Sequence, residues 1–435
     1  MVSAVYAQPP SLLFYDTVPV EEIAVSRSGQ YAASVGASEL RFYDRTHLLW
    51  SWQDPDFPPE KLYSVAISAD GNYVVAGGQN HVFFWKNAIS RSFPDTSPTW
   101  TSAQYGQIYR RCLDISDNGK YVLAGSGGGL TPPRPTVLYW AGADSESGSD
   151  VGYTWAYLGG PIATVDLSDN GDYAVVGFSS ANVGYWKNAR TRLGDQTPDW
   201  LSTEAQDVTD VAVSDDGDFV TASGMLDGGA VYYWAGATSL TDDPPTSWNA
   251  EYYPTIEFLS VDMSCDGDSV VAGAESGLVY FWSGARTLTG KPQTPSWTFP
   301  TVGEEEGEEV EEVAINDVGS YMAAATLIPT IPSGGRVYFL DNAGSMKWST
   351  PYQLDDSVTS MSICCDGGTL AVGTPMSSAY LLDTGFSTPC CGAAPVGGVV
   401  STPTVALGGV APFVALAILA GAVAVVVVFS KKRGT

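Results

Sequence analysis

The residues of this chain whose types and spacing could do chemistry are few. Cysteines stand in two adjacent pairs, Cys364–Cys365 and Cys390–Cys391, with Cys112 and Cys265 alone. Six cysteines suit an oxidising compartment without making the chain a disulfide scaffold. A glutamate-rich run, EEEGEEVEE, spans residues 304–312. Such runs are usually solvated loops, and Glu304, Glu305, Glu306, Glu308 and Glu309 form a candidate partner-binding loop. The two histidines, His47 and His81, lie in no metal-ligand or triad spacing, which leaves little capacity for imidazole catalysis. Carboxylate-rich segments such as SDDGD and SDNGD resemble calcium loops, but they lack ligands at alternating positions and a distal bidentate Glu. No catalytic, cofactor-binding or metal-binding residue is expected, and no cofactor.

These residues must be positioned by a repeated element. Stretches like VDLSDNGDYAVVG recur eight times, placing Gly29, Gly71, Gly119, Gly171, Gly217, Gly267, Gly319 and Gly367 in the same local frame at intervals of 42 to 52 residues. That period suits one four-stranded propeller blade. Tryptophans keep the same phase. Trp85, Trp140, Trp186, Trp234 and Trp282 close an aromatic third strand, while Trp50, Trp100, Trp155, Trp200, Trp248, Trp297 and Trp348 open the fourth. Asp-Gly and Asn-Gly supply the positive φ of the hairpin between the first and second strands. Near-continuous apolar runs such as YAVVG fit strands covered on both faces.

The last repeat has three strands (VTSMSIC, TLAVG, SAYLLD) and no fourth, whereas SLLFYDT at residues 11–17 has no blade of its own. Joining the two completes a blade and removes an exposed sheet edge. The expected fold class is therefore all-β: an eight-bladed β-propeller over residues 11–385, closed by its N-terminal strand. By strand alternation, the glycine turns share one face with the long loops between third and fourth strands. The opposite face carries the insertions after Ser126 and Ala325 and the acidic run.

Residues 386–409, rich in Ser, Thr, Pro, Gly and Ala, read as a stalk. A bridge taking one cysteine each from Cys364/Cys365 and Cys390/Cys391 is expected to tie that stalk to the final blade. Cys112 reads as a buried small apolar residue and Cys265 as a free thiol. From 410 to 429 the chain runs twenty residues without a charge, the length of a helix crossing about 30 Å of hydrocarbon. Residues 410–430 are thus expected to form a transmembrane helix, with Lys431, Lys432 and Arg433 as a cytoplasmic stop-transfer cluster within the tail 431–435. Residues 1–10 read as a signal-peptide remnant. The expectation is a single-pass cell-membrane protein with its propeller extracytoplasmic and its C-terminus cytoplasmic.

The units ADGNYVVAGGQNHVFFW and DDGDFVTASG…AVYYW resemble WD-repeat blades, although the Gly-His and Trp-Asp signatures of that family are missing. LRFYDRTHLLW, RVYFLDNAGSMKW and AYLLDTG are more similar to quinoprotein-type repeats. The resemblance covers about residues 11–385 and implies the fold more than the function. Some quinoprotein dehydrogenases place a disulfide between adjacent cysteines beside the quinone; Cys364–Cys365 matches that adjacency, and strand order is expected to put it in a peripheral turn.

With 48 acidic against 20 basic residues and a formal charge of −28, attraction to nucleic acid is excluded. The expected function is a non-enzymatic interaction or envelope scaffold, with the lipid bilayer and a protein at the propeller rim as partners. The alternatives are a quinoprotein-like dehydrogenase and a small-ligand or glycan sensor.

Overall fold

Apolar runs on either side of each glycine turn pair as antiparallel strands, and four such strands make a blade. The structure is a computed structural model describing residues 10–127, 136–179, 182–225, 229–251, 256–300, 308–328, 334–341, 343, 348–349, 351–376 and 378–390. Within these residues the strands form eight sheets. Blade 1 comprises Glu22–Val25, Tyr31–Gly36, Glu39–Asp44 and Leu48–Gln53, and each later repeat adds one blade in chain order.

Closure follows from the two incomplete ends. Ser11–Asp16 lies antiparallel to Ala379–Asp383, with Ser11 opposite Asp383 and Asp16 opposite Ala379, and becomes the outer strand of blade 8. On the inner side, the Ile23 and Val25 amides donate to the Ser360 and Ser362 hydroxyls, joining blade 1 to blade 8. Outer edges are also covered by the following blade. Gly148–Val151, from the third-to-fourth-strand loop of blade 3, pairs parallel with Trp100–Ser102 of blade 2. Gly194–Asp195 of blade 4 does the same to Trp155–Tyr157 of blade 3. These short additions satisfy backbone groups that would otherwise template aggregation.

The two tryptophan slots make one interblade latch. Trp100 stacks on Phe84 of its own blade at 5.1 Å and meets Trp140 of the next at 5.8 Å, while its indole N–H donates to the Ala143 carbonyl of that neighbour. The arrangement recurs for Trp155 with Tyr139, Trp186 and Ala189, and for Trp200 with Tyr185, Trp234 and Ala237. Each receiving alanine is fully buried and begins a 3-10 turn. Burying the indole is favourable only because its N–H finds this partner.

The repeated glycine has a second cause besides its turn. Gly119 has φ +69, and a Cβ there would lie 2.1 Å from the Tyr73 ring of the preceding blade. Gly71, Gly171 and Gly217 meet Tyr31, Tyr121 and Tyr173 in the same way. Gly194 has a similar φ, +73, with open space around its Cβ position. Gly119→Ala is therefore expected to destabilise the protein by about 3 kcal/mol through strain plus overlap, and Gly194→Ala by about 1 kcal/mol through strain alone. Denaturant midpoints of the two variants separate these contributions; equal shifts would rule out the interblade contact.

Candidate functional site

The first-to-second-strand turns lie at the inner end of each blade, so the residue after the turn's first position reaches the ring axis. In chain order these are Arg27, Ala69, Asp117, Asp169, Asp215, Cys265, Asp317 and Cys365. Their backbones link neighbouring blades: the Ala69 amide donates to the Asp117 carbonyl at 3.1 Å, Asp117 to Asp169 at 2.9 Å, Asp215 to Cys265 at 2.9 Å, Cys265 to Asp317 at 2.9 Å, and Cys365 to Arg27 at 3.2 Å. At the centre the Arg27 guanidinium binds Asp117 at 2.7 Å, lies 3.6 Å from Asp215, and also pairs with Asp169 and Asp317. One cation thus ties blade 1 to blades 3, 4, 5 and 7. Burial lowers the Arg27 pKa, but the fields of Asp317, Asp117 and Asp215 outweigh it and hold the group charged. Burial pushes Asp117 and Asp215 up, against the pull of Arg27.

A second charged layer lies inside the channel. The inner strands contribute Glu22, Asp114, Asp166, Asp210, Asp262 and Glu312, several of which lash one blade to the next. Asp114 accepts from the Leu167 amide, Asp166 from Val213, Asp210 from Val261, Asp262 from Ile315 and Glu22 from Val65. Arg111, at φ +60, sends its guanidinium across the axis to the Leu259 and Glu311 carbonyls and the Glu312 carboxylate. Arg110 donates to the Thr359 carbonyl. Beside these groups a cavity of about 260 Å³ is lined by Glu22, Asp114, Glu312, Ser360 and Ser362 among others.

The acids outnumber the cations here, and protonation makes up the difference. Burial raises Glu22 to about 7 and Asp262 to about 8, and it raises Glu312 despite Arg111. Asp114 and Asp166 hydrogen-bond each other, and burial raises both. Two adjacent carboxyls share a proton more readily than both ionise.

Cys265, Cys364 and Cys365 fall at the axial turns, which corrects the expectation that Cys364–Cys365 is peripheral: the turn joins the two innermost strands of its blade. Cys365 is bonded to Cys390, while Cys364 is a free, buried thiol. Cys364 faces into the blade because it takes the position of the turn serine, accepting the Thr369 amide as Ser68 accepts Tyr73. A bridge between the adjacent pair is therefore not formed. Cys265, expected as a free thiol, is disulfide-bonded, and Cys112 is a free thiol buried beneath blade 4. The sulfurs of Cys365 and Cys390 lie within 4.8 Å of an Asp317 carboxylate oxygen, but bonded sulfurs are not thiolate ligands.

Residues 386–390, expected as the start of a stalk, are docked instead. Phe386 stacks on Phe339 and packs tilted against Tyr321, Thr388 donates to the Asp366 carbonyl and receives Asn316, and Cys390 is bonded to Cys365 of the axial turn.

Of the acidic run, Glu304, Glu305 and Glu306 lie outside the described residues. Glu308 is buried and receives Arg336, Thr326 and Tyr338, so it is an internal ion-pair partner and not a presented side chain. Its pairing residues sit on strands that sequence alone does not align with it. Glu309 is half-buried on the first strand of blade 7. Cys391, the apolar run at 410–430 and Lys431, Lys432 and Arg433 also lie outside the described residues. Among the described residues no helix is long and apolar enough to cross a membrane.

Residues 58–86, the start of blade 2, match the WD domain, G-beta repeat. The solved C-terminal WD40 domain of Sif2 superposes with a TM-score of 0.62 at 13% identity, covering 88% of this chain and 99% of that one. The fold is that of a WD40 propeller. No curated protein matches the chain in sequence. On this ring the large apolar side chains Phe57, Tyr109, Leu158 and Met376 are exposed on loops of the face opposite the glycine turns, and Phe93, Leu193 and Val318 are exposed on the glycine-turn side.

Arg27, Arg111 and the channel acids escaped the sequence reading, although their register signals them. Asp114, Asp166 and Asp262 each stand five residues before a turn glycine, and Glu22, Asp210 and Glu312 seven before, within apolar strands. Groups with a raised folded pKa bind protons more tightly when folded, so their stabilisation is complete at acid pH and is lost as pH rises through the folded values. With Glu22 near 7 and Asp262 near 8, the melting temperature is expected to fall between about pH 5 and about pH 8.5. Asp262→Asn should flatten that slope by keeping the site neutral. A wild-type melting temperature that rises over this interval would contradict the buried-acid account.

Proposed function

We propose that this protein is a non-enzymatic protein-interaction scaffold, displayed outside the cytoplasm on a single C-terminal membrane span. The observation that carries the reading is a rigid ring whose axial turns are tied by the chain's own arginine and carboxylates and whose loops expose apolar side chains: Phe57, 97% exposed, with Tyr109, Leu158 and Met376 on the face opposite the glycine turns, and Phe93, Leu193 and Val318 on the glycine-turn face. Loops on a rigid ring are where binding residues concentrate, and we assign the partner surface to the face that carries Phe57 and the inserted loops. The WD40-type fold supports the same reading by analogy.

The Cys365–Cys390 disulfide supports an oxidising compartment. The charge-free run from 410 to 429, followed by Lys431, Lys432 and Arg433, supports the membrane span and its orientation. The formal charge of −28 keeps the propeller apart from nucleic acid.

Crosslinking in native membranes, read by mass spectrometry, is expected to place partner contacts on loops carrying Phe57, Tyr109 and Leu158. Tyr109→Ser with Leu158→Ser should deplete those crosslinks at an unchanged melting temperature. Contacts confined to the glycine-turn face would reverse the assignment. Ending the chain at residue 409 should release the protein from the membrane fraction, and retention would refute the C-terminal anchor.

A further inference from the structure

The outer groove between blades 1 and 2 combines three features of a binding site. Its floor is aromatic: Trp52 and Phe83 are buried with ring centroids 5.0 Å apart. Its walls are acidic, with Asp54 and Asp56 from the loop leaving blade 1 and Asp150 from the loop of blade 3 that runs back along blade 2. Its volume is about 470 Å³, within the range of small-ligand and peptide-side-chain pockets.

The three aspartates are not equivalent. Asp54 is committed to the loop, accepting the Asp56 and Glu60 amides. Asp56 and Asp150 are exposed, and neither forms an ion pair with a Lys or Arg among the described residues. His81 stands in the groove, but its ring is held by Glu60 at 2.6 Å, and that hydrogen bond raises its pKa. The Glu60 carboxylate is further occupied by the Asn80 and His81 amides. Asp54, Asp56 and Asp150 thus all lack a Lys or Arg partner among the described residues, Asp54 and Asp150 act on His81 through space, and Asp56 and Asp150 are the two exposed to an incoming cation. Phe57, 97% exposed, follows Asp56 directly.

An aromatic floor with free carboxylates above it fits a long aliphatic stem ending in a cation. The stem lies on the rings, and the ammonium or guanidinium meets the acids and the ring faces. We propose that this groove receives a lysine- or arginine-bearing segment of a partner protein, with Asp56 and Asp150 as its ion-pair acceptors and Trp52 and Phe83 as its apolar floor. The inference rests on the scaffold reading and adds the chemistry of one contact. A basic segment is also what a surface of charge −28 attracts over distance.

The test uses the full chain in detergent and fluorescein-labelled tetralysine as the probe, with tetraserine as blank, read by anisotropy at physiological ionic strength. Asp56→Asn with Asp150→Asn removes two charges and preserves the turn, because Asn tolerates the φ of +60 at position 150. The control, Glu257→Gln with Glu275→Gln, removes two charges from loops of blade 6. The groove variant should bind tetralysine about tenfold more weakly, and the control should change it by less than about twofold. Hydrogen exchange should show the probe protecting residues 54–60 and 148–151 in the wild type. Equal weakening in both variants, no weakening in either, or protection elsewhere would overturn the groove and reduce the binding to diffuse attraction. Those outcomes leave membrane crosslinks on the loop face intact, so the scaffold reading fails separately, by the absence of such crosslinks.

Discussion

The structure depends on how charge is neutralised along the ring axis. Eight inner strands converge there, and many of them bring a carboxylate into a narrow channel among other carboxylates. Isolated buried charges of this kind would be costly. Two devices remove the cost. Backbone amides of the next blade donate to Glu22, Asp114, Asp166, Asp210 and Asp262, turning these into interblade ties, and Arg27 and Arg111 supply cations that several blades share. Protons held by the raised carboxyls complete the balance. The axis is therefore a structural joint first.

Away from the axis the same neighbour-to-neighbour logic runs through aromatic packing. A tryptophan from one blade donates to an alanine of the next, and a tyrosine of one blade covers the turn glycine of the next. Tyr139, Tyr185 and Tyr233 extend the pattern by donating to the Gly171, Gly217 and Gly267 carbonyls. Neighbouring blades thus meet at the axis and the turn, and blades 2, 3 and 4 also at the outer strand, so stability accumulates by interfaces, as in other repeat architectures. Closing the circle supplies the last interface.

Much of the architecture was legible because it repeats. Glycine turns and two tryptophan slots fixed the blade count, and the missing fourth strand at one end with the spare strand at the other predicted the closure. The cysteines were legible only to the level of pairs: which of Cys364 and Cys365 reaches Cys390 depends on side-chain direction at a turn, and Cys364 is diverted because it substitutes for a serine that points inward. Glu308 read as part of a solvated run, yet its partner Arg336 comes from a strand beyond the intervening hairpin. The groove was invisible, since it needs the loop of blade 3 to fold back over blade 2.

The Cys365–Cys390 bond also sets how the ring bears a mechanical load. Tension entering the chain at Cys390 from its C-terminal side passes through the sulfur bridge to Cys365 and bypasses residues 366–389. The bypassed segment includes Ala379–Asp383, the strand that grips the N-terminal Ser11–Asp16. A pull that would otherwise peel that seam open one backbone pair at a time is routed to a hairpin beside Arg27, where it is divided among several blades.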